Sequence, residues 1–280
     1  MKKYRSAKEY EKTKSIIIYI ILLLGMVVAL YPFYILVMNS FKHGIEIVNY
    51  PRNLPSEISL YGYKSVFKDL NLLTLFKNSV FVSGTGAFLC CLFNSMCGYA
   101  LAKIKFYGRN LVFRIILSTL MLPAILLLVP TYILMDKIGW IDTYRVLIIM
   151  GMVGAYNIFL FRQFMSQISD EFIEAAKIDG ANHLYIYSRI VMPMSLPVIT
   201  SVGILDFVTR WNDIFNPLLY IRSEERFTLQ LGLWKYSSQI VNQFLEQKYA
   251  AMTLITIPVL ILYILLQKHF IQAFSSAGLK

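Results

Sequence analysis

Long apolar runs alternate with short polar links along this chain. Six runs reach the length of a membrane-crossing helix: about 15–38, 78–102, 111–135, 143–164, 197–221 and 249–267. A helix rises 1.5 Å per residue, so ~20 apolar residues cross ~30 Å of hydrocarbon. The runs are continuous rather than alternating, which predicts helices and not the strands of a barrel. The first run is longer than a signal-peptide core and no small-residue cleavage pattern follows it, so it reads as an uncleaved anchor.

Composition agrees. Hydrophobic residues make up 57% of the 280 and charged ones 15%. A soluble globule holds about half and a quarter respectively, so the chain reads as an all-α polytopic membrane protein. The formal charge of +11 does not point to nucleic acid, because the positive residues gather at the ends of apolar runs. Lys2, Lys3, Arg5, Lys8, Lys12 and Lys14 precede the first run. Lys103, Lys105 and Arg109 follow the second, with Arg114 just inside the third. The positive-inside rule puts both groups in the cytoplasm. Six spans then leave both termini and the 166–197 link inside, and the long links 39–77 and 222–248 outside. The first outer link is basic too (Lys42, Arg52, Lys64, Lys68, Lys77), but long loops count for less in this rule.

Three features stand out within the runs. In the second, Gly84, Ala87, Cys91, Ser95, Gly98 and Ala102 recur at steps of three and four, a small-residue stripe suited to close helix packing. In the third, Pro123 and Pro130 should bend or break the helix, either as a structural accident or where a path must open. In the fifth, Asp206 and Arg210 stand four apart, with Asn212 and Asp213 just beyond. The first two can pair on one face. Charge inside an apolar run is costly, so a pathway lining is the favoured reading. Cys90, Cys91 and Cys97 sit in an apolar stretch without a histidine partner and read as packing residues, not metal ligands.

The most informative stretch is Glu174 to Pro197, EAAKIDGANHLYIYSRIVMPMSLP. Ser169 or Asp170 can cap a helix start, and Glu171 suits the positive end of its dipole. Residues 171–179 favour helix, and Gly180 stands where a helix end takes a left-handed residue. Asn182 can cap a second helix, over 183–191, which Pro193 closes. Ala175 and Ala176 would let another protein approach the backbone, and Glu174 adds a charged handle. A helix lying on the membrane surface is the rival, but the segment has few basic residues for headgroups.

The pattern Glu174-Ala175-Ala176, Asp179-Gly180-Ala181, Tyr187, Ile190, Pro193, Pro197 resembles the EAA loop of permease subunits of bacterial ABC importers. YALAKIKFYGRN (99–110), GWIDTYRVLI (139–148), IFLFRQFM (158–165), FVTRWNDIFNPLLYI (207–221) and FTLQLGLW (227–234) are similar to the carbohydrate branch, of the maltose-transporter permease type. The likeness covers the chain from about residue 15 to its end. Asp206 and Arg210 are more charged than that pattern, and the tail 272–280 is poorer in glycine.

The resemblance implies a type I ABC importer permease fold: one transmembrane domain over 15–280 behind a cytoplasmic tail at 1–14, multi-pass in a bacterial cytoplasmic membrane. It implies a second, different permease subunit, two ATPase subunits, and an extracytoplasmic solute-binding protein that delivers a sugar, expected to be an oligosaccharide. ATP and Mg would sit on the ATPase partners, and this chain would bind no cofactor. Glu174, Ala175, Ala176, Asp179 and Gly180 take the ATPase-coupling role. Phe227, Thr228, Leu229, Gln230, Leu231 and Gly232 take the contact with the binding protein. Pathway-lining candidates are Tyr156, Asn157, Asp206, Arg210, Trp211, Asn212 and Asn216, because aromatic faces stack on sugar rings and amides bond hydroxyls. Helix packing or interface anchoring is the rival for each. The basic outer link leaves room for an acidic oligosaccharide.

No catalytic residue is expected. The chain has no Gly-Lys dipeptide, hence no P-loop, and no nucleophile–base or metal constellation. A stand-alone secondary transporter or channel using Asp206 and Arg210 is the alternative from another class.

Overall fold

The computed structural model describes residues 2–239 and 244–278, with the side chains of 14–239, 244–261 and 263–265. Every element in them is helical. The chain divides into two compact units, Met1–Leu70 with Leu233–Thr256, and Asn71–Gly232 with Ile257–Lys280.

In the first unit, helix α1 (Lys2–Asn39) joins the basic tail to the first apolar run in one rod. Its apolar side chains from Ile16 to Tyr34 are exposed. Two short helices follow, α2 (Gly44–Asn49) and α3 (Tyr61–Asp69). Lys42, one of the basic residues of the outer link, is buried. Its Nζ donates to Asn39 Oδ1 at 3.0 Å and to the Tyr50 carbonyl at 2.7 Å.

The second unit is built around α4 (Leu72–Lys103), capped by Asn71, whose Oδ1 accepts from Thr74 N. Along it pack α8 (Ala155–Met165) and α12 (Leu196–Trp211). The small-residue stripe makes this possible in places. A methyl at Gly98 would lie 2.5 Å from Phe161 Cβ, and Cys91 Sγ lies 3.2 Å from where a Cβ would stand at Gly203. Gly84, at the other end of the stripe, has nothing within 4 Å.

Among the described residues, three helices are single rods long and apolar enough to cross a bilayer: Lys14–Asn39, Leu72–Lys103 and Leu245–Leu265. The last belongs to α13 (Leu245–Gly278). The third run breaks as its prolines predict. Helices α5 (Arg109–Ser118) and α6 (Leu128–Lys137) belong to arms bent by 91° about Pro123. Pro130 breaks nothing, because it sits in the first turn of α6, where no helical acceptor awaits its missing N–H.

The fourth run, expected as one helix over 143–164, is split. Helix α7 (Tyr144–Ile149) ends at a glycine-bearing break, with Gly151 at φ 75, before α8 begins. Such a break leaves backbone groups without helical partners. Two side chains supply them. Asn94 Nδ2 donates to the Met152 carbonyl at 2.9 Å while its Oδ1 accepts from Gly154 N at 2.9 Å. Arg210 Nη1 donates to the Leu147 carbonyl at 2.7 Å and, more weakly, to that of Ile148 at 3.4 Å.

Candidate functional site

Helix α9 (Glu171–Ile178) opens the polar segment between the fourth and fifth runs. Ser169 Oγ accepts from Glu171 N at 3.3 Å. Asp170 does not cap; Lys103 draws its carboxylate away at 2.6 Å. That hydrogen bond and the ammonium charge hold Asp170 below the usual carboxylate range. Gly180 ends the helix at φ 84, with Gly180 N donating to the Lys177 carbonyl and Ala181 N to that of Ala176. This double bond pattern closes a helix C-terminus firmly. Asn182 Oδ1 then caps α10 (His183–Ile186) by accepting from Tyr185 N at 2.8 Å.

The second helix does not stop at Pro193. It widens into a π-turn over Tyr187–Val191, where Met192 N reaches back to the Tyr187 carbonyl. It runs on through α11 (Met192–Met194) before bending by 80° into α12. The five-residue step shifts the hydrogen-bond register just ahead of the proline, which has no N–H to give.

Of the five coupling candidates, Glu174, Ala175, Asp179 and Gly180 are exposed. Ala176 faces inward at 8% exposure, beside Ile173, in a core with Tyr99, Phe161, Ile186 and Tyr187. Exposed apolar side chains flank the exposed four: Phe172, Ile178, Leu184 and Tyr185. Helical spacing could have found Ile178, since with Ala175 it falls on the side away from Ile173 and Ala176, whereas Phe172 stands one turn before Ala176 at the edge of the buried face. Four bonds from three residues of α4 tie the segment to it: Lys103 to Asp170 and to the Ile168 carbonyl, Tyr99 Oη to His183 Nδ1 at 3.0 Å, and Ser95 Oγ to Tyr187 Oη at 2.8 Å.

A cavity of about 180 Å³ lies between α4, α7 and α12. Asp206, Arg210 and Asn216 line it together, and Thr209, Asp213 and Thr228 join them. The expected pair forms, with Arg210 Nε 2.6 Å from Asp206 Oδ2. Asn216 donates to Asp213 from its amide at 2.6 Å and from its backbone N–H at 3.1 Å. The remaining candidates are elsewhere. Trp211 is 3% exposed and packs between Phe76 and Phe207. Tyr156 and Asn212 are exposed away from the cavity, and Asn157 donates to Cys90 Sγ.

Phe227, Thr228, Leu229, Gln230, Leu231 and Gly232 are all buried. Asn78 Nδ2 donates to the Phe227 carbonyl at 2.9 Å, Leu229 N donates to Ser79 Oγ at 2.8 Å, and a methyl at Gly232 would lie 2.6 Å from Leu75 Cδ1. The segment is a seam on α4. Just before it is a polar clasp that sequence reasoning missed. Asp142, at φ 59, accepts from Arg222 N and Ser223 N (3.0 Å each), Ser223 Oγ (2.5 Å) and Arg226 Nη1 (2.7 Å). Burial pushes the Asp142 carboxyl up, but the Ser223 and Arg222 hydrogen bonds and the Arg226 charge outweigh it and bring it down to about 2.

Residues 94–276 match the family of binding-protein-dependent transport system inner membrane components. The arabinooligosaccharides transport system permease protein of Halalkalibacterium halodurans is 33% identical over 90% of this chain and 92% of its own. The diacetylchitobiose uptake system permease protein of Streptomyces coelicolor is 29% identical over 95% and 89%. Among solved structures, a chain of a bacterial ABC transporter involved in the import of the acidic polysaccharide alginate is similar. It superposes with a TM-score of 0.84 at 28% identity, covering 92% of this chain and 97% of that one.

Proposed function

Because the chain belongs to the family of binding-protein-dependent transport system inner membrane components, we propose that it is the membrane permease of an ATP-driven importer for an oligosaccharide. A binding protein outside delivers the sugar, a second permease completes the pathway, and two ATPase subunits drive it from the cytoplasm. The sugar class rests on the arabinooligosaccharide and diacetylchitobiose relatives. The exposed apolar side of α1 suits lipid or the second permease.

One observation carries the coupling role: the capped α9–Gly180–α10 corner presents Glu174, Ala175, Asp179 and Gly180 and is tied to α4 at three points. A partner that grips the corner moves α4 with it, whereas a loose loop would absorb the push. The exposed Phe172, Ile178, Leu184 and Tyr185 give that partner apolar surface to cover. The buried seam at 227–232 acts as the post for the outward loop that meets the binding protein. Asp206, Arg210 and Asn216 line the pathway.

Gly180→Leu tests this reading, because a left-handed residue with a branched side chain costs roughly 1–2 kcal/mol and adds bulk at the corner. Co-expressed with its neighbouring genes, the variant should still insert. ATP-dependent sugar uptake in proteoliposomes should fall at least ~tenfold. Unchanged uptake would remove the corner from the mechanism. Uptake by the lone chain without ATP would favour a stand-alone transporter.

A further inference from the structure

Arg210 is the cation of the cavity, and the protein has already used it. Its Nε is bound to Asp206 Oδ2 and its Nη1 to the Leu147 and Ile148 carbonyls. The guanidinium lies against Gly86, where a Cβ would stand 2.7 Å from Arg210 Cδ and Nε. It is held on three sides. Asp213 is the second carboxylate on the lining, and it accepts from the neutral side-chain amide and backbone N–H of Asn216. Two carboxylates against one guanidinium leave the lining formally at −1. The other polar groups there, Thr209, Asn216 and Thr228, are neutral.

We infer that Arg210 sets the charge specificity of the pathway: with its charge spent on Asp206, the cavity admits neutral sugars and excludes uronic ones. This rests on the sugar-importer reading. A free guanidinium would grip a carboxylate in bidentate fashion. Here that geometry is taken, and Asp213 meets an incoming carboxylate with like charge. At an effective dielectric near 20, two like charges ~6 Å apart cost on the order of a hundredfold in affinity. Hydroxyls face no such penalty, because carboxylate and amide oxygens accept from them. The acidic cargo of the similar alginate transporter is therefore not expected here.

The test is direct binding to the assembled importer in nanodiscs, without the binding protein, so that its preference does not enter. The probes are arabinobiose, diacetylchitobiose and maltose as neutral sugars, and dimannuronate and digalacturonate as acidic ones. The wild type should bind at least one neutral probe ~tenfold or more tightly than either acidic one. Asp206→Asn frees the guanidinium, and Asp206→Asn with Asp213→Asn brings the lining to +1; each should close that gap by ~tenfold or more. Acidic probes binding as well as neutral ones to the wild type would overturn the inference. So would a gap that the charge variants leave unmoved, or no binding by any probe. ATP-dependent uptake of the neutral panel, measured with the binding protein present, judges the importer reading separately.

Discussion

A broken backbone inside an apolar run needs partners, because hydrocarbon offers none. Asn94 and Arg210 supply them at the split between α7 and α8. Asn94→Leu would keep the volume and orphan the Met152 carbonyl and Gly154 N–H. At ~1–3 kcal/mol for each unpaired group, the purified complex should melt several degrees lower, and an unchanged melting point would show that the groups find other partners. Asp142 makes a second residue-level prediction. Its folded carboxyl titrates at about 2 against an ordinary value of 3.8. The charged form is therefore the stabilising one. Its contribution is complete above ~pH 4 and is lost as pH falls towards 2. The stability gap between wild type and Asp142→Asn should be widest above pH 5 and should narrow through that window. Asp206 with Arg210 was legible from spacing alone, since i and i+4 share a face. Asn94 was not: a single amide in an apolar run shows no periodicity, and its partners are about 60 residues away.

Among the elements, the corner at Gly180 was the most legible. Its caps are local chemistry, written in adjacent residues: Gly180, lacking a Cβ, takes the left-handed turn, and the Asn182 side chain caps the next helix. The π-turn before Pro193 was not legible, because it depends on where the helix must go afterwards. The grip of α4 on the corner depends likewise on long-range packing. Lys103→Met should test that grip. It removes the bonds to Asp170 and the Ile168 carbonyl while keeping an apolar stem of similar length. Assembly with the ATPases should persist, and stimulation of ATP hydrolysis by the binding protein should drop severalfold. Full stimulation would place the mechanical link in Tyr99 and Tyr187 instead.

For the molecule as a whole, six apolar runs and the break at Pro123 were legible, and the split of the fourth run was not. Hydropathy reports how much of a helix can face lipid, whereas breaks at 122–123 and 150–154 follow from prolines, glycines and distant side chains. Orientation can be checked with single cysteines at Asn53, Lys105, Ser188 and Glu224, after Cys90, Cys91 and Cys97 are replaced. An impermeant maleimide added to intact cells should label positions 53 and 224 and spare 105 and 188. The reverse pattern would invert the topology and with it the side on which we propose that ATPase subunits bind.

The contact between Gly86 and Arg210 has a consequence for descent. A methyl at 86 would stand where the guanidinium stem now lies, so enlarging residue 86 displaces Arg210 and pulls it from Asp206 and two carbonyls of α7. Change at this spot should therefore arrive as a joint replacement of 86, 206 and 210, and that replacement should coincide with a switch in the charge of the cargo.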